Sequence, residues 1–165
     1  MAVTAQMVKE LREMTGAGMM DCKKALVATE GNIDKAVDYL RENGLAKAAK
    51  KSGRIAAEGL VRFTFNEDHT QACIIEVNSE SDFVSKNPEF IEFVENLAKI
   101  GLESDEICAE CILEKPYGAE GTVSDVLTAK IAKIGENMKI RRVIKLNTPG
   151  VKYIGYSHMG GRIGV

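Results

Sequence analysis

Long hydrophobic runs are missing from these 165 residues. Every apolar stretch falls well short of the roughly 20 residues that a membrane-crossing helix needs, so no bilayer span is expected. The opening MAVTAQMVKELREM lacks the continuous apolar core of a signal peptide, and Glu10 and Glu13 oppose an organellar presequence. Excess charge of one sign is lacking too: 22 Lys and Arg against 24 Asp and Glu leave a formal net charge of −2. That balance excludes electrostatic binding of nucleic acid by the whole molecule. Histidine is scarce, with only His69 and His158, and no Ser or Cys constellation surrounds either. No G-x-x-x-x-G-K-[ST] or G-x-G-x-x-G phosphate cradle occurs. The expectation is a cytoplasmic chain with no catalytic residues, no metal ligands and no cofactor.

Four cysteines fit that compartment. Cys22 and Cys73 stand apart, while Cys108 and Cys111 form a C-x-x-C in DEICAECILE. This spacing serves zinc and thiol redox sites, but no second C-x-x-C or H-x-x-x-H follows. The acidic neighbours Glu106 and Glu110 disfavour a thiolate. The pair reads as buried or half-buried helix thiols.

Two regions follow from the periodicity, an all-helical one and an α+β one. Thr4 caps TAQMVKELREM; a second helix, MMDCKKALVAT, places Met19, Cys22, Ala25 and Leu26 on one face. Gly31 and Asn32 end it and cap IDKAVDYLREN, which stops at Asn43-Gly44. The basic stretch LAKAAKKSGRIAAEG carries Lys47, Lys50, Lys51 and Arg54 without aromatics for base stacking. It reads as a solvated connector, or a patch for an acidic partner, rather than an RNA or DNA site. From Leu60 the period shortens to two. LVRFTFN and QACIIEVN form a hairpin; Asn87-Pro88 opens a helix with Phe90, Ile91, Val94 and Leu97 inward. Residues 104–114 read as a shorter helix, 123–136 as another, and MKIRRVIKLN and VKYIGYS as strands. The expected domains are a three-helix bundle with its connector over 1–53 and an α+β core over 54–165, an antiparallel sheet packed with helices. GRIGV reads as a strand that stops within a few residues, so the core is expected to end mid-strand. Either the chain is cut short there, or self-association through that bare C-terminal edge completes it.

One stretch resists this assignment. NSESDFVSKNP, residues 78–88, sets Phe83 in a run of turn formers. Its ring either staples the following helix, under Phe90 or Ile91, or meets another molecule.

TGAGMMDCKKAL at 15–26 and GNIDKAVDYLRENG at 31–44 closely resemble the N-terminal domain of the bacterial elongation factor Ts family. EVNSESDFVSKN at 76–87, KIGENMKIRRV at 133–143 and SHMGGRIGV at 157–165 resemble three further signatures of that family, in the same order. Ser81 stands where the family usually has threonine, and Ser85 where it has alanine. The resemblance implies a ubiquitin-associated-like (UBA-like) three-helix bundle, and guanine-nucleotide exchange on the translational GTPase elongation factor Tu. It implies that Asp82 and Phe83, with Ser81 and Val84 around them, enter the GTPase beside its magnesium site. His158, with Gly160, matches a contact that displaces the phosphate-binding backbone, and Met19, Met20 and Lys23 fall in the docking motif. Two readings of other classes stand beside it: a helical-bundle adapter that binds without exchange, and a thiol oxidoreductase using Cys108 and Cys111.

Overall fold

Short-range capping sets the first helices. In the computed structural model, which describes residues 3–105 and 107–165, α1 covers Ala5–Thr15, α2 Met19–Ala28 and α3 Ile33–Lys51. The Thr4 hydroxyl accepts from the Met7 amide at 3.3 Å, and Asn32 accepts from the Lys35 amide at 2.9 Å. Gly16, at φ 64°, closes α1 with its N–H on the Arg12 carbonyl, a conformation that costs glycine little. Val8, Leu11, Cys22, Ala25, Leu26 and Ala36 form the buried centre of this bundle. Met19, expected on the buried face, is instead 59% exposed, because α2 turns Cys22, Ala25 and Leu26 inward and begins at Met19, ahead of that stripe.

The third helix does not stop at Asn43-Gly44. Asn43 donates its side-chain amide to the Tyr39 carbonyl, one turn back, rather than capping, and Gly44 keeps helical geometry. Gly44 is buried, with the Ala132 and Thr128 methyls 3.8 and 4.0 Å from where its Cβ would sit. By contacts the chain divides into two compact units, Met1–Ser52 with Thr128–Gly135, and Gly53–Leu127 with Glu136–Val165.

The second unit is built on an antiparallel sheet in the order β1 (Glu58–Phe65), β2 (Ala72–Ser79), β3 (Met138–Leu146). Leu60 faces Val77, and Ile75 faces Val143. A bulge at Glu76/Val77 leaves Arg141 extra on β3, so Met138, Ile140 and Val143 all face inward despite the odd step. A one-turn helix, α4 (Asp82–Ser85), leads to α5 (Pro88–Glu103), capped by Asn87 with proline at its first position. α5 buries Phe90, Phe93, Val94 and Leu97 completely; Phe93 takes the place expected of Ile91, which is half-buried. Gly101 is where α5 meets β2: a Cβ there would lie 2.5 Å from the Cys73 sulfur. The last long helix, α6, covers Val123–Ile134. Six α-helices and an antiparallel sheet among the described residues make the fold α+β.

Further expectations need correction. The described residues of 104–114 do not form an α-helix: beyond Ser104, among them, only Cys111–Glu114 form a single 3₁₀ turn, which buries Ile112. Cys108 and Cys111 are joined by a disulfide rather than standing as helix thiols, and that bond ties the turn to the preceding loop. Glu106, read as an acidic neighbour of the pair, lies outside the described residues. VKYIGYS is not a strand up to Tyr156. Gly155 lies flat on the Phe63 ring, where any Cβ would collide, and only Ser157–His158 (β4) pair, with Ile163–Gly164 (β5). The last strand is therefore not bare, and the ground given for self-association through it falls away. Val165 exchanges two further hydrogen bonds with Tyr156.

Candidate partner-binding surface

The turn around Phe83 is fixed by bonds from several directions. Ser81 donates its amide to Glu136 Oε2 at 2.9 Å and its hydroxyl to Glu136 Oε1 at 2.6 Å. Ser79, fully buried, donates its hydroxyl to the Ser81 carbonyl, and Ser85 donates to the Asp82 carbonyl. Val84 is buried beneath the turn. Phe83 is not a staple: its ring is 81% exposed, on a backbone held on both sides. Beside it, Lys86 donates to Asp82, and that bond and charge hold the Asp82 carboxyl below the usual range, with the Arg162 cation adding in the same sense.

Arg162 also connects this turn to the second candidate segment. Residues 156–165 form a hairpin whose tip, Met159-Gly160-Gly161, runs through three successive positive φ angles. Gly161 is buried against Arg62, whose guanidinium fills the space a Cβ would need. Arg62 donates two hydrogen bonds to the Gly160 carbonyl and also faces Glu95 at 3.4 Å. Arg162 reaches Glu58 at 2.7 Å, and Glu58 sits opposite Ser79, the strand end from which the Phe83 turn springs. Arg162 thus ties the hairpin to the end of the sheet that carries the Phe83 turn, while the hairpin tip itself is held by Arg62, midway along β1. His158 is exposed, with its ring parallel to Tyr156 and its Nδ1 3.2 Å from the Tyr156 hydroxyl. The other histidine, His69, is exposed at a hairpin turn but stacks on Phe65 rather than being merely solvated.

In the helical unit, Met20, Lys23 and Val27 recur at i, i+3 and i+7 on the outer face of α2. Met19 and Met20 are both exposed, by 59% and 64%, with Met14 and Val27 close to the same value. A row of flexible thioethers in water suits a protein contact.

The family model described as Elongation factor TS matches residues 80–165, more than half of the chain. The chain belongs to the elongation factor Ts family. A model for the UBA/TS-N domain matches residues 3–40, the span of α1, α2 and the start of α3. Elongation factor Ts of Clostridium novyi (strain NT) is 58% identical over 165 residues, that of Clostridioides difficile (strain 630) 55% and that of Clostridium botulinum (strain Alaska E43 / Type E3) 52%, both over 163. Each alignment takes in 99% of this chain and 54% of the relative, so the chain spans about half the length of the curated relatives it matches. Among the described residues, no helix is long and apolar enough to cross a membrane.

Sequence reasoning missed Arg62, Arg162 and Glu136. Glu136 stands inside the quoted KIGENMKIRRV, but its partner lies 55 residues away, beyond the reach of any local pattern.

Proposed function

We propose that this chain is a nucleotide-exchange factor: it binds the GTPase elongation factor Tu in the cytoplasm and speeds GDP release during translation elongation. It performs no covalent step. By linkage, a protein that weakens GDP binding is itself weakened equally by GDP, so its contacts must differ between the nucleotide-bound and free GTPase. In this reading Met19, Met20 and Lys23 dock on the GTPase. Asp82 and Phe83, on the turn framed by Ser81 and Val84, press into the magnesium side of the nucleotide site. His158 and Gly160 act on the phosphate-binding backbone. The observation that carries it is Phe83, 81% exposed on a turn bonded on both sides. An apolar ring held rigidly in water has no folding role and loses little entropy on entering a partner.

Release of fluorescent GDP from elongation factor Tu, with and without this chain, tests the reading. Acceleration of tenfold or more at saturating chain is expected; an unchanged rate despite binding leaves the adapter reading, which the exposed methionines of α2 favour.

A further inference from the structure

We infer that Glu136 is a positioning residue for Phe83: its carboxylate is the clamp that fixes the 81–85 turn on the sheet. This rests on the exchange reading above and deepens it. Serine ahead of a helix ordinarily caps it with its own oxygen, yet Ser81 makes no such bond to α4. Its hydroxyl is turned the other way, to Glu136 Oε1, while its amide goes to Oε2. The next residues answer reciprocally. Glu80 accepts from the Asn137 amide, and the Asn137 side chain donates to the Arg54 carbonyl at 2.8 Å. Arg54 in turn faces Glu80 at 3.5 Å. The dipeptides 80–81 and 136–137 thus form a closed clasp of charge-assisted hydrogen bonds, among the stronger kind. Asn137 is buried, and Gly135, at φ 88°, turns the chain so that Glu136 reaches the serine. A one-turn helix cannot hold its own geometry, so the direction of the Phe83 ring is set by this clasp rather than by α4.

The test uses the full chain with Glu136→Ala, Glu136→Gln and Ser81→Ala. Amide hydrogen exchange of residues 81–85 reads the clasp independently of any GTPase. In Glu136→Ala it is expected to quicken by about tenfold, with the amides of β2 and α5 unchanged. The maximal GDP release rate is expected to fall by about tenfold, with the concentration for half-maximal effect changed far less. Glu136→Gln, which keeps one acceptor, recovers part of both. In a Phe83→Ala background Glu136→Ala costs nothing further, because the ring it positions is gone. If Glu136→Ala is too unstable to study, Ser81→Ala, which loses only the hydroxyl bond, shows the same changes on a smaller scale. Turn amides that exchange as in the parent overturn the inference. So does a loosened turn with the release rate intact, or a loss that adds in full to that of Phe83→Ala. A parent chain that does not speed GDP release defeats the exchange reading instead, and the amide exchange then still reports on the clasp.

Discussion

In the proposed reading, Phe83 separates folding from binding in a single side chain. Because its ring is 81% exposed, Phe83→Ala is expected to move stability by no more than about 0.5 kcal/mol, against roughly 3–5 kcal/mol for a buried phenylalanine such as Phe93. The same change is expected to slow GDP release by roughly 5–150-fold, the range of an ordinary allosteric coupling. Thermal melting and GDP release on one sample check both. Cys73 carries a different signature. Burial pushes its thiol from 9.0 up to about 11, only partly opposed by Lys145. The folded chain therefore holds that proton more tightly than the unfolded one, and the associated stability is complete below about pH 9 and lost as pH rises toward 11. Denaturant titrations at pH 8 and pH 10.5 should show the parent losing stability relative to Cys73→Ala at the higher value. At this scale the sequence was partly legible: an aromatic ring amid turn formers marks Phe83 without any structure. The clamp from Glu136 was not legible, since nothing near Glu136 distinguishes it from a solvated glutamate.

The elements that the sequence announced are those whose signals are local. Thr4, Asn32 and Asn87-Pro88 each lie within three residues of the amides they serve, and α1, α3 and α5 begin as their caps predict. Stops were read less well. Asn43-Gly44 looks like a helix end, but α3 continues because tertiary neighbours, Ala132 and Thr128, make a small residue suitable in mid-helix. VKYIGYS has the β-branched and aromatic residues of a strand, yet Gly155 is committed to the Phe63 ring rather than to a strand partner. Two glycines should therefore answer oppositely to the same substitution. At Gly44 an added methyl meets Ala132 at 3.8 Å, ordinary contact, and Gly44→Ala is expected to stabilise by about 0.5–1 kcal/mol through helix propensity. At Gly101 it meets the Cys73 sulfur at 2.5 Å and Ile107 at 2.8 Å, and Gly101→Ala is expected to destabilise by roughly 1–3 kcal/mol. Chemical denaturation of the two variants checks the pair of signs.

For the molecule as a whole, charge decides which partners are reachable. The basic connector is less free than its composition suggests, because Lys47 pairs with Asp21 at 2.9 Å and Arg54 with Glu80 at 3.5 Å. With a formal net charge of −2, RNA binding is expected to be no tighter than the roughly 10⁻⁴–10⁻⁶ M of non-specific contact. Association with the GTPase should slow as salt rises through 0.1 M, where exposed charges are screened beyond about 10 Å. Filter binding of RNA and stopped-flow association at several salt concentrations check this; tight, salt-sensitive RNA binding would reverse it. The clasp between 80–81 and 136–137 has one more consequence, in the order of events during synthesis. Closing a segment of 55 residues costs about 3.5 kcal/mol in chain entropy, which the hydrogen bonds cannot offset until β3 pairs with β2. A ribosome adding about 5–20 residues per second takes roughly 3–11 s to travel from Ser81 to Glu136. During that interval the nascent chain presents the Phe83 ring on a turn with no fixed direction. If Phe83 makes the proposed contact, competence to engage a partner therefore waits for β3, which ends at Leu146, well after Phe83 itself has been made.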